Sequence, residues 1–378
     1  MKRNDSMFQP IIISPILKLV ENCNYTCSFC RYANHPPQEA SVMSIELCKH
    51  ILDEVCNYNI SKGQKSAVIT FHGGEPLLWG KEQFREILRY EKALEKKYEG
   101  FFFCNRMQCN AYLLDEEWME ILEAMRMSVG ISLDGPIEMN FHYGACGNEK
   151  SMERVIKNIH MLQKQGNGSG ILSVITQNHF NHAKEYFDFV QENGITNVEF
   201  TFCYNPRDGI TIDTTKLTEF LCESFDIYYH SDQKIRVRQF EAALMRMYGL
   251  KRSGCAYKER CECGSYLCIS PSGKVSFCDD YEEGSVKVGD MVEQRLEEII
   301  ASTTYQSTKE LYLLPSQNAC KNCEWKVICG CGCGRKDVGE GAARKSYFCE
   351  TYKKLYAHIA ETVKNDPRIK EENENMIK

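Results

Sequence analysis

Three cysteines follow the first apolar run of the chain at a spacing that suits iron–sulfur chemistry. They occur in Cys23-Asn-Tyr-Thr-Cys27-Ser-Phe-Cys30, a C-x3-C-x2-C pattern. Three thiolates at this spacing can ligate three irons of a [4Fe–4S] cluster and leave the fourth iron open. An open iron can bind another molecule and pass an electron to it. The pattern therefore predicts redox chemistry on a bound ligand, with a structural zinc site completed by His35 as the alternative.

A second cysteine array lies between Cys255 and Cys349, where 11 of 95 residues are cysteine. Its densest part reads Cys320-x2-Cys323-x5-Cys329-x3-Cys333, with Cys255, Cys261 and Cys278 upstream. The region has many glycines and few long apolar runs, so its apolar core is too small to stabilise it alone. Metal ligation is therefore expected here as well, by iron–sulfur clusters or by two zinc ribbons, which share the C-x2-C spacing.

The composition excludes several broad classes of protein. The chain has 378 residues, 43% of them hydrophobic and 26% charged, which suits one large domain and a smaller one. The formal net charge is −6 and no basic stripe stands out, so nucleic-acid binding is not expected. No signal peptide and no run of about 18 apolar residues is found, so no membrane association is expected. The 21 cysteines then indicate metal sites in a reducing, cytoplasmic setting.

Short apolar strands alternate with amphipathic helices over the first half of the chain. The predicted strands are 11–20, 66–71, 101–109, 128–133, 170–175 and 198–203. The predicted helices are 44–58, 81–97, 115–125, 150–165 and 182–193, the third with Asp115 as N-cap. This order predicts an α/β fold with a parallel sheet, open or closed into a partial barrel. Because reactive groups follow the carboxyl ends of such strands, the segments that begin at Cys23, Gly73 and Ser132 are expected to face one mouth.

These motifs together resemble the radical S-adenosylmethionine (SAM) superfamily with its SPASM iron–sulfur extension. The resemblance spans residues 12–356 and implies that SAM binds the open iron of the Cys23 cluster. It also implies a partial (β/α)6 TIM-like barrel in residues 1–235 and a small C-terminal SPASM domain in residues 236–350. Residues 351–378 are expected to form a C-terminal helix and a charged tail.

The resemblance implies further contacts to SAM. Gly73, Gly74 and Glu75 match the family's G-G-E-P motif, in which the glycines let the backbone approach SAM, while Glu75 could instead orient its loop. The other candidates are polar residues that follow later strands and an aromatic residue beyond the triplet, namely Asn110, Ser132, Asp134 and Tyr32. The alternative for Ser132 and Asp134 is an ordinary strand end and turn, and for Tyr32 it is packing. His72 departs from the glutamine that relatives often carry.

The SPASM resemblance implies two auxiliary [4Fe–4S] clusters, and therefore three clusters in the chain. Auxiliary cluster I would take Cys255, Cys261, Cys278 and Cys333. Auxiliary cluster II would take Cys320, Cys323, Cys329 and Cys349. Cys263 could replace Cys261, because a C-x-C spacing leaves both within reach. Cys268 and Cys331 receive no assignment.

Asp279 directly follows Cys278 and resembles the general base of the anaerobic sulfatase-maturating branch of the SPASM family. That branch oxidises Cys or Ser to formylglycine, and its carboxylate accepts a proton. The chain is therefore expected to be an oxidoreductase that acts on a peptide or protein, with an electron donor such as flavodoxin or ferredoxin. Two alternatives stay open: a maturase that cross-links or epimerises a ribosomal peptide, and a non-catalytic iron–sulfur or zinc-binding module. Asp279 could also be a solvated turn residue.

Overall fold

The computed structural model describes residues 12–30, 41–140, 142–143, 148–166, 170–204, 209–232, 235–250, 263–279 and 286–366. The chain divides into two compact units, each of which combines three separate segments. The first unit comprises Met1–Ser132, His142–Gly168 and Glu262–Leu311, and the second comprises Leu133–Phe141, Ser169–Cys261 and Tyr312–Lys378. The limits of these units differ from the domain boundaries predicted from the sequence, and those boundaries stay a prediction.

Strands and helices alternate through most of the described residues. The strands are β1 (Ile16–Lys18), β2 (Thr26–Cys27), β3 (Ser66–His72), β4 (Phe102–Cys109), β5 (Ser128–Ser132), β6 (His142–Tyr143), β7 (Gly170–Ile175), β8 (Asn197–Phe202), β9 (Arg236–Val237), β10 (Cys268–Ile269), β11 (Lys274–Ser276), β12 (Lys287–Asp290), β13 (Asp337–Val338) and β14 (Lys345–Ser346). The α-helices are Ile45–Ser61, Lys81–Lys97, Glu116–Ala124, Glu149–Lys164, Ala183–Glu192, Thr214–His230, Arg238–Met247, Leu296–Ala301, Thr303–Gln317, Lys326–Cys329 and Cys349–Asn365. None of these helices combines the length and the apolar character that crossing a membrane requires.

The first unit contains a mixed sheet whose strand order is β12-β11-β10-β1-β3-β4-β5. Strands β10, β1, β3, β4 and β5 run parallel, whereas β11 and β12 are antiparallel to their neighbours. The C-terminal strand β10 pairs directly with β1, so that Ile16 lies beside Cys268. This pairing returns the segment around Cys278 to the strand that leads into the cysteine triplet.

The sequence patterns predict five of these strands and five of these helices to within a few residues, all of them before residue 204. Asp115 is confirmed as an N-cap, since its side chain accepts a hydrogen bond of 2.9 Å from the backbone N–H of Trp118. Strand β1 is much shorter than the predicted 11–20 strand. Pro15 has no N–H to donate to a sheet ladder, and regular pairing begins only after it.

The second unit has its own parallel strands, in the order β7-β8-β9, with helices packed around them. The helices Thr214–His230 and Cys349–Asn365 lie against each other. His358 Nε2 is 2.7 Å from Asp226 Oδ1, and the Thr351 hydroxyl donates to the Thr214 carbonyl oxygen over 3.2 Å. These contacts fix the start of the C-terminal helix, where Cys349 lies.

Candidate functional site

Cys23, Cys27 and Cys30 lie in one short segment after β1, the Cys23 loop, which includes the two-residue strand β2, and all three side chains are half-buried. The Cys30 N–H donates to the Cys27 carbonyl oxygen over 2.9 Å, and the Tyr25 N–H donates to Cys23 Sγ over 3.3 Å. Burial raises the pKa of Cys23 to about 12, so a bare thiolate is unfavourable there and a bound metal ion would offset its cost. The backbone donor and the shared loop fit thiolates that ligate an iron–sulfur cluster.

Gly73 and Gly74 lie against the backbone that enters this loop. Gly73 has a φ of 148°, and a Cβ built on it would lie 2.5 Å from the Val20 carbonyl oxygen. A Cβ on Gly74 would lie only 2.1 Å from the Asn22 carbonyl oxygen. The Gly74 N–H also donates to the Val20 carbonyl oxygen over 2.8 Å. The glycines therefore permit close packing against the cysteine loop, a role that the sequence analysis did not foresee; their approach to SAM stays a prediction.

We expect Gly74→Ala to lower the free energy of unfolding by about 1–3 kcal/mol, because the added methyl group overlaps backbone that cannot move aside like a side chain. Urea denaturation measures this change. Gly170→Ala is the matched control, since its Cβ would lie 3.3 Å from the nearest atom, Asn197 Cβ, and its backbone conformation is also ordinary. Equal losses of stability in the two variants would contradict the proposed packing role of Gly74.

Glu75 is buried and joins two strand ends. One carboxylate oxygen accepts from the Leu77 N–H over 3.0 Å, and the other accepts from the Asn110 N–H over 2.8 Å. Burial raises the pKa of Glu75 to about 7, against the opposing effect of these hydrogen bonds. Glu75 therefore orients its loop, which is one of the two roles that its sequence allowed.

Asn110 directly follows β4, and Ser132 is the last residue of β5, in the same unit. Asn110 Nδ2 donates to Asn24 Oδ1 over 2.8 Å and lies 3.9 Å from Cys23 Sγ. Ser132 Oγ accepts from Gln108 Nε2 over 2.9 Å. The structure thus places the Cys23 loop, the Gly73–Glu75 segment and Asn110 in direct contact. Their contacts to SAM stay a prediction.

Asp134 belongs to the second unit and is fully buried there. Its Oδ1 accepts from the Val174 N–H over 2.8 Å, and its carbonyl oxygen accepts from His179 Nε2 over 2.7 Å. Burial raises the pKa of Asp134 to about 7. These contacts show a residue held rigidly at the start of its turn. The predicted contact of Tyr32 with adenine falls on residue 32, which lies outside the described residues.

Asp279 forms an ion pair with Lys18, whose side chain is only 4% exposed. Its second carboxylate oxygen lies 4.0 Å from His72 Nε2, and the Lys18 ammonium lies 3.4 Å from His72 Nδ1. Lys18 ends β1, His72 ends β3, and the two residues are register partners. The parallel pairing of β1 and β3 therefore brings both side chains to one end of the sheet, where Asp279 meets them.

His72 is neutral in this group. Burial and the nearby Lys18 charge lower the pKa of His72 to about 4, although Asp279 acts in the opposite direction. The Gly73 N–H donates to His72 Nδ1 over 2.7 Å. Because Nδ1 accepts this bond, the ring proton lies on Nε2, which faces the carboxylate of Asp279.

Sequence reasoning identified Asp279 but missed Lys18. The available signal was a lysine inside the apolar run before Cys23. A buried lysine is unfavourable unless an anion or a hydrogen-bond acceptor compensates it, so its position predicts an acidic partner. The identity of that partner depends on the pairing of β10 with β1, which spans some 250 residues of sequence.

A cavity in the second unit is lined by several of the predicted cluster ligands. All four cysteines assigned to auxiliary cluster II line it, namely Cys320, Cys323, Cys329 and Cys349. The other lining residues include a fifth cysteine, three aromatic residues and three lysines: Cys331, Trp325, Tyr352, Tyr356, Lys326, Lys345 and Lys353. Thiolates of a [4Fe–4S] cluster each ligate a separate iron and therefore surround a cavity. The lysines would place positive charge beside a thiolate-ligated cluster bound here. The lining residues therefore fit such a cluster.

The ligands predicted for auxiliary cluster I are distributed differently. Cys255 and Cys261 lie outside the described residues, Cys278 belongs to the first unit and Cys333 to the second. Auxiliary cluster I therefore stays a prediction, as does the choice between Cys261 and Cys263. Among the residues that the structure describes, no three His, Cys, Asp or Glu side chains converge closely enough to hold a single metal ion.

Comparison with known families matches two parts of the chain. Residues 17–190 match the family model of the radical SAM superfamily, and residues 261–324 match that of the SPASM iron–sulfur cluster-binding domain. A cysteine-type anaerobic sulfatase-maturating enzyme of Clostridium perfringens is 24% identical over 352 residues, which cover 89% of this chain and 93% of the relative. A serine-type anaerobic sulfatase-maturating enzyme of Bacteroides thetaiotaomicron is 26% identical over 372 residues, which cover 89% of this chain and 87% of the relative.

Solved structures with a similar fold include anSMEcpe with bound AdoMet and a Cp18Cys peptide. This structure has a TM-score of 0.81 and 23% identity, covering 93% of this chain and 98% of the other. Streptococcus suis SuiB bound to S-adenosylmethionine has a TM-score of 0.58 and 20% identity, and the match covers 85% of this chain and 73% of the SuiB chain. These matches confirm the predicted fold class, a partial α/β barrel with a small C-terminal iron–sulfur domain, and the resemblance inferred from the cysteine motifs.

Proposed function

Since this chain belongs to the radical SAM superfamily and carries a SPASM iron–sulfur domain, we propose that it oxidises a Cys or Ser side chain of a protein substrate to formylglycine. The observation that carries the proposal is the placement of Asp279 with Lys18 and His72, in the same unit as the Cys23 loop. The sulfatase-maturating relatives support this choice of substrate residue.

The proposed reaction removes a hydrogen atom, a proton and a second electron from the substrate side chain. When bound, SAM and its cluster supply a 5′-deoxyadenosyl radical that takes the hydrogen atom from Cβ. A serine then becomes the aldehyde directly, whereas a cysteine gives a thioaldehyde that water converts to the aldehyde with release of hydrogen sulfide. The protein must therefore provide a group that accepts the proton, and an auxiliary cluster, when bound, would accept the second electron.

Asp279 is the proposed proton acceptor. It pairs with the buried Lys18 ammonium, and a carboxylate can accept a proton where an amide cannot. His72 does not compete for the proton in the described arrangement, because its Nδ1 already accepts the Gly73 N–H. His72 directly precedes Gly73, so Asp279 lies next to the loop that packs against the cysteine loop.

The other residues of the first unit hold and align the reacting groups. Cys23, Cys27 and Cys30 are the proposed ligands of the SAM-binding cluster. Gly73, Gly74, Glu75, Asn110, Ser132 and Asp134 are the proposed SAM-binding residues. The buried Glu75 carboxylate fixes the loop after β3 to the end of β4, so these segments keep their geometry when a ligand binds. A flavodoxin or ferredoxin is the electron donor that we propose.

The function is tested with a synthetic peptide that carries a sulfatase-type Cys or Ser motif. The reconstituted protein, SAM and a low-potential reductant are incubated with it under anaerobic conditions, and the products are analysed by mass spectrometry. We expect an aldehyde on the Cys or Ser residue, together with 5′-deoxyadenosine. An intact peptide here, combined with a cross-linked or epimerised product from a small ribosomal peptide, would contradict the proposal and support a peptide maturase.

We expect about twelve irons per chain after anaerobic reconstitution, since three [4Fe–4S] clusters are assigned. The Cys23 loop supplies three of the eleven proposed ligands, and the cavity assigned to auxiliary cluster II supplies four more, all of them described residues. Iron and acid-labile sulfide analysis measures the content, and zinc is determined in parallel. Stoichiometric zinc with about four irons would contradict the SPASM assignment, because it would leave only one iron–sulfur cluster.

A further inference from the structure

Five thiols line the cavity assigned to auxiliary cluster II, although a [4Fe–4S] cluster needs only four. Four of them are the assigned ligands. The fifth is Cys331, which lies between Cys329 and Cys333 and is buried, with 7% of its surface exposed. The cavity therefore contains one more potential ligand than the cluster uses.

The backbone holds Cys331 in an uncommon conformation. Its φ is 68°, in the left-handed region, and the flanking residues Gly330 and Gly332 have φ values of 62° and 70°. Glycine adopts this region freely, whereas cysteine does so at a cost. Gly332 is needed for steric reasons too, because a Cβ on it would lie 2.9 Å from Ser346 Cβ. The surrounding chain thus fixes this turn after the helix Lys326–Cys329 and keeps the Cys331 side chain at the cavity.

Cys331 shares the cavity with the assigned ligands. The cavity is lined by Cys331, Cys320 and Cys329, and Cys320 is the side chain that interacts most strongly with the Cys331 thiol. A second thiol beside Cys320 at the same cavity is positioned to ligate the iron that Cys320 would otherwise hold.

We propose that Cys331 is an alternative ligand of auxiliary cluster II that takes the place of Cys320. In the exchange, the bond from iron to the Cys320 sulfur breaks and a bond to the Cys331 sulfur forms. The Cys331 thiol loses one proton and the released Cys320 thiolate gains one, so no oxidant or reductant is needed. The proposal rests on the presence of auxiliary cluster II and is independent of which substrate the protein oxidises.

The test measures iron per chain in anaerobically reconstituted full-length variants. We expect about twelve irons in wild type, in Cys320→Ala and in Cys331→Ala, and about eight in the Cys320→Ala/Cys331→Ala double variant. The matched control is Cys320→Ala/Cys222→Ala, because Cys222 is half-buried in the same unit and does not line the cavity. This control should keep about twelve irons. Mössbauer spectra of the iron-57 proteins count the clusters independently.

Two outcomes would overturn the proposal. A fall to about eight irons in Cys320→Ala, with circular dichroism showing a folded protein, would mean that Cys331 cannot replace Cys320. About twelve irons in the double variant would mean that neither thiol is required at this position. Both readouts are independent of peptide oxidation, so a failed search for the substrate leaves this test intact.

Discussion

Asp279→Asn is expected to lower aldehyde formation by roughly 10²–10⁴-fold while 5′-deoxyadenosine is still produced, since a positioned general base contributes about this factor. The amide keeps the shape of the carboxylate but cannot accept the substrate proton. Removal of the hydrogen atom does not require that acceptor, so SAM cleavage becomes uncoupled from product. Mass spectrometry of the peptide and chromatography of the nucleoside measure the two yields in one reaction.

Asp290→Asn is the control for this variant. Asp290 belongs to the same unit. Its Oδ1 accepts from the Val292 N–H over 3.1 Å, and its Oδ2 lies 3.3 Å from the ammonium of exposed Lys287. Its replacement should leave both yields unchanged. Iron content and thermal stability of Asp279→Asn are measured as well, because the change leaves buried Lys18 without its anionic partner. An unchanged aldehyde yield in Asp279→Asn would exclude Asp279 as the base.

Replacing Cys23, Cys27 and Cys30 with alanine is expected to abolish 5′-deoxyadenosine formation and to lower the iron content by about four atoms, the content of one [4Fe–4S] cluster. Without these thiolates no open iron is available to bind SAM and pass it an electron. The remaining irons should stay, because the cavity of auxiliary cluster II lies in the other unit and uses other cysteines. Iron analysis and chromatography of the nucleoside provide the measurement.

The control replaces three half-buried cysteines that have no assigned ligand role, Cys104, Cys203 and Cys222, with alanine. This protein should keep its iron and its SAM cleavage. Cleavage of SAM by the Cys23/Cys27/Cys30 variant would remove the triplet from the mechanism. Loss of cleavage in the control as well would show that general damage to the fold, and not the loss of ligands, explains the result.

Local patterns predict most strands and helices before residue 204 well, because strands and helices depend on short-range periodicity. The strand over 170–175 is predicted with its observed limits, and so is the helix over 81–97. The cysteine motifs also depend on local spacing, so the loop after β1 is predicted from sequence, and the resemblance that these motifs carry predicts four cysteines for auxiliary cluster II. Both groups are indeed brought together, one in a loop and the other around a cavity.

The rest of the site depends on contacts that local patterns do not contain. Lys18 meets Asp279 because β10 pairs with β1, and such long-range pairing has no signal in the spacing of either segment. The roles of Glu75 and Gly74 depend on how closely two loops approach. Distances between loops are set by packing of the whole sheet, so these roles emerge only from the structure.

The contacts of Gly74 and Glu75 with the cysteine loop also connect metal loading to the stability of the sheet. Their N–H groups donate to the carbonyl oxygens of Val20 and Asn22, and Glu75 in turn joins the end of β4. Free energy gained when the triplet binds iron therefore also restrains the ends of β1, β3 and β4. We expect iron loss to loosen these three ends together, so oxygen damage would expose this edge of the apoprotein to proteolysis.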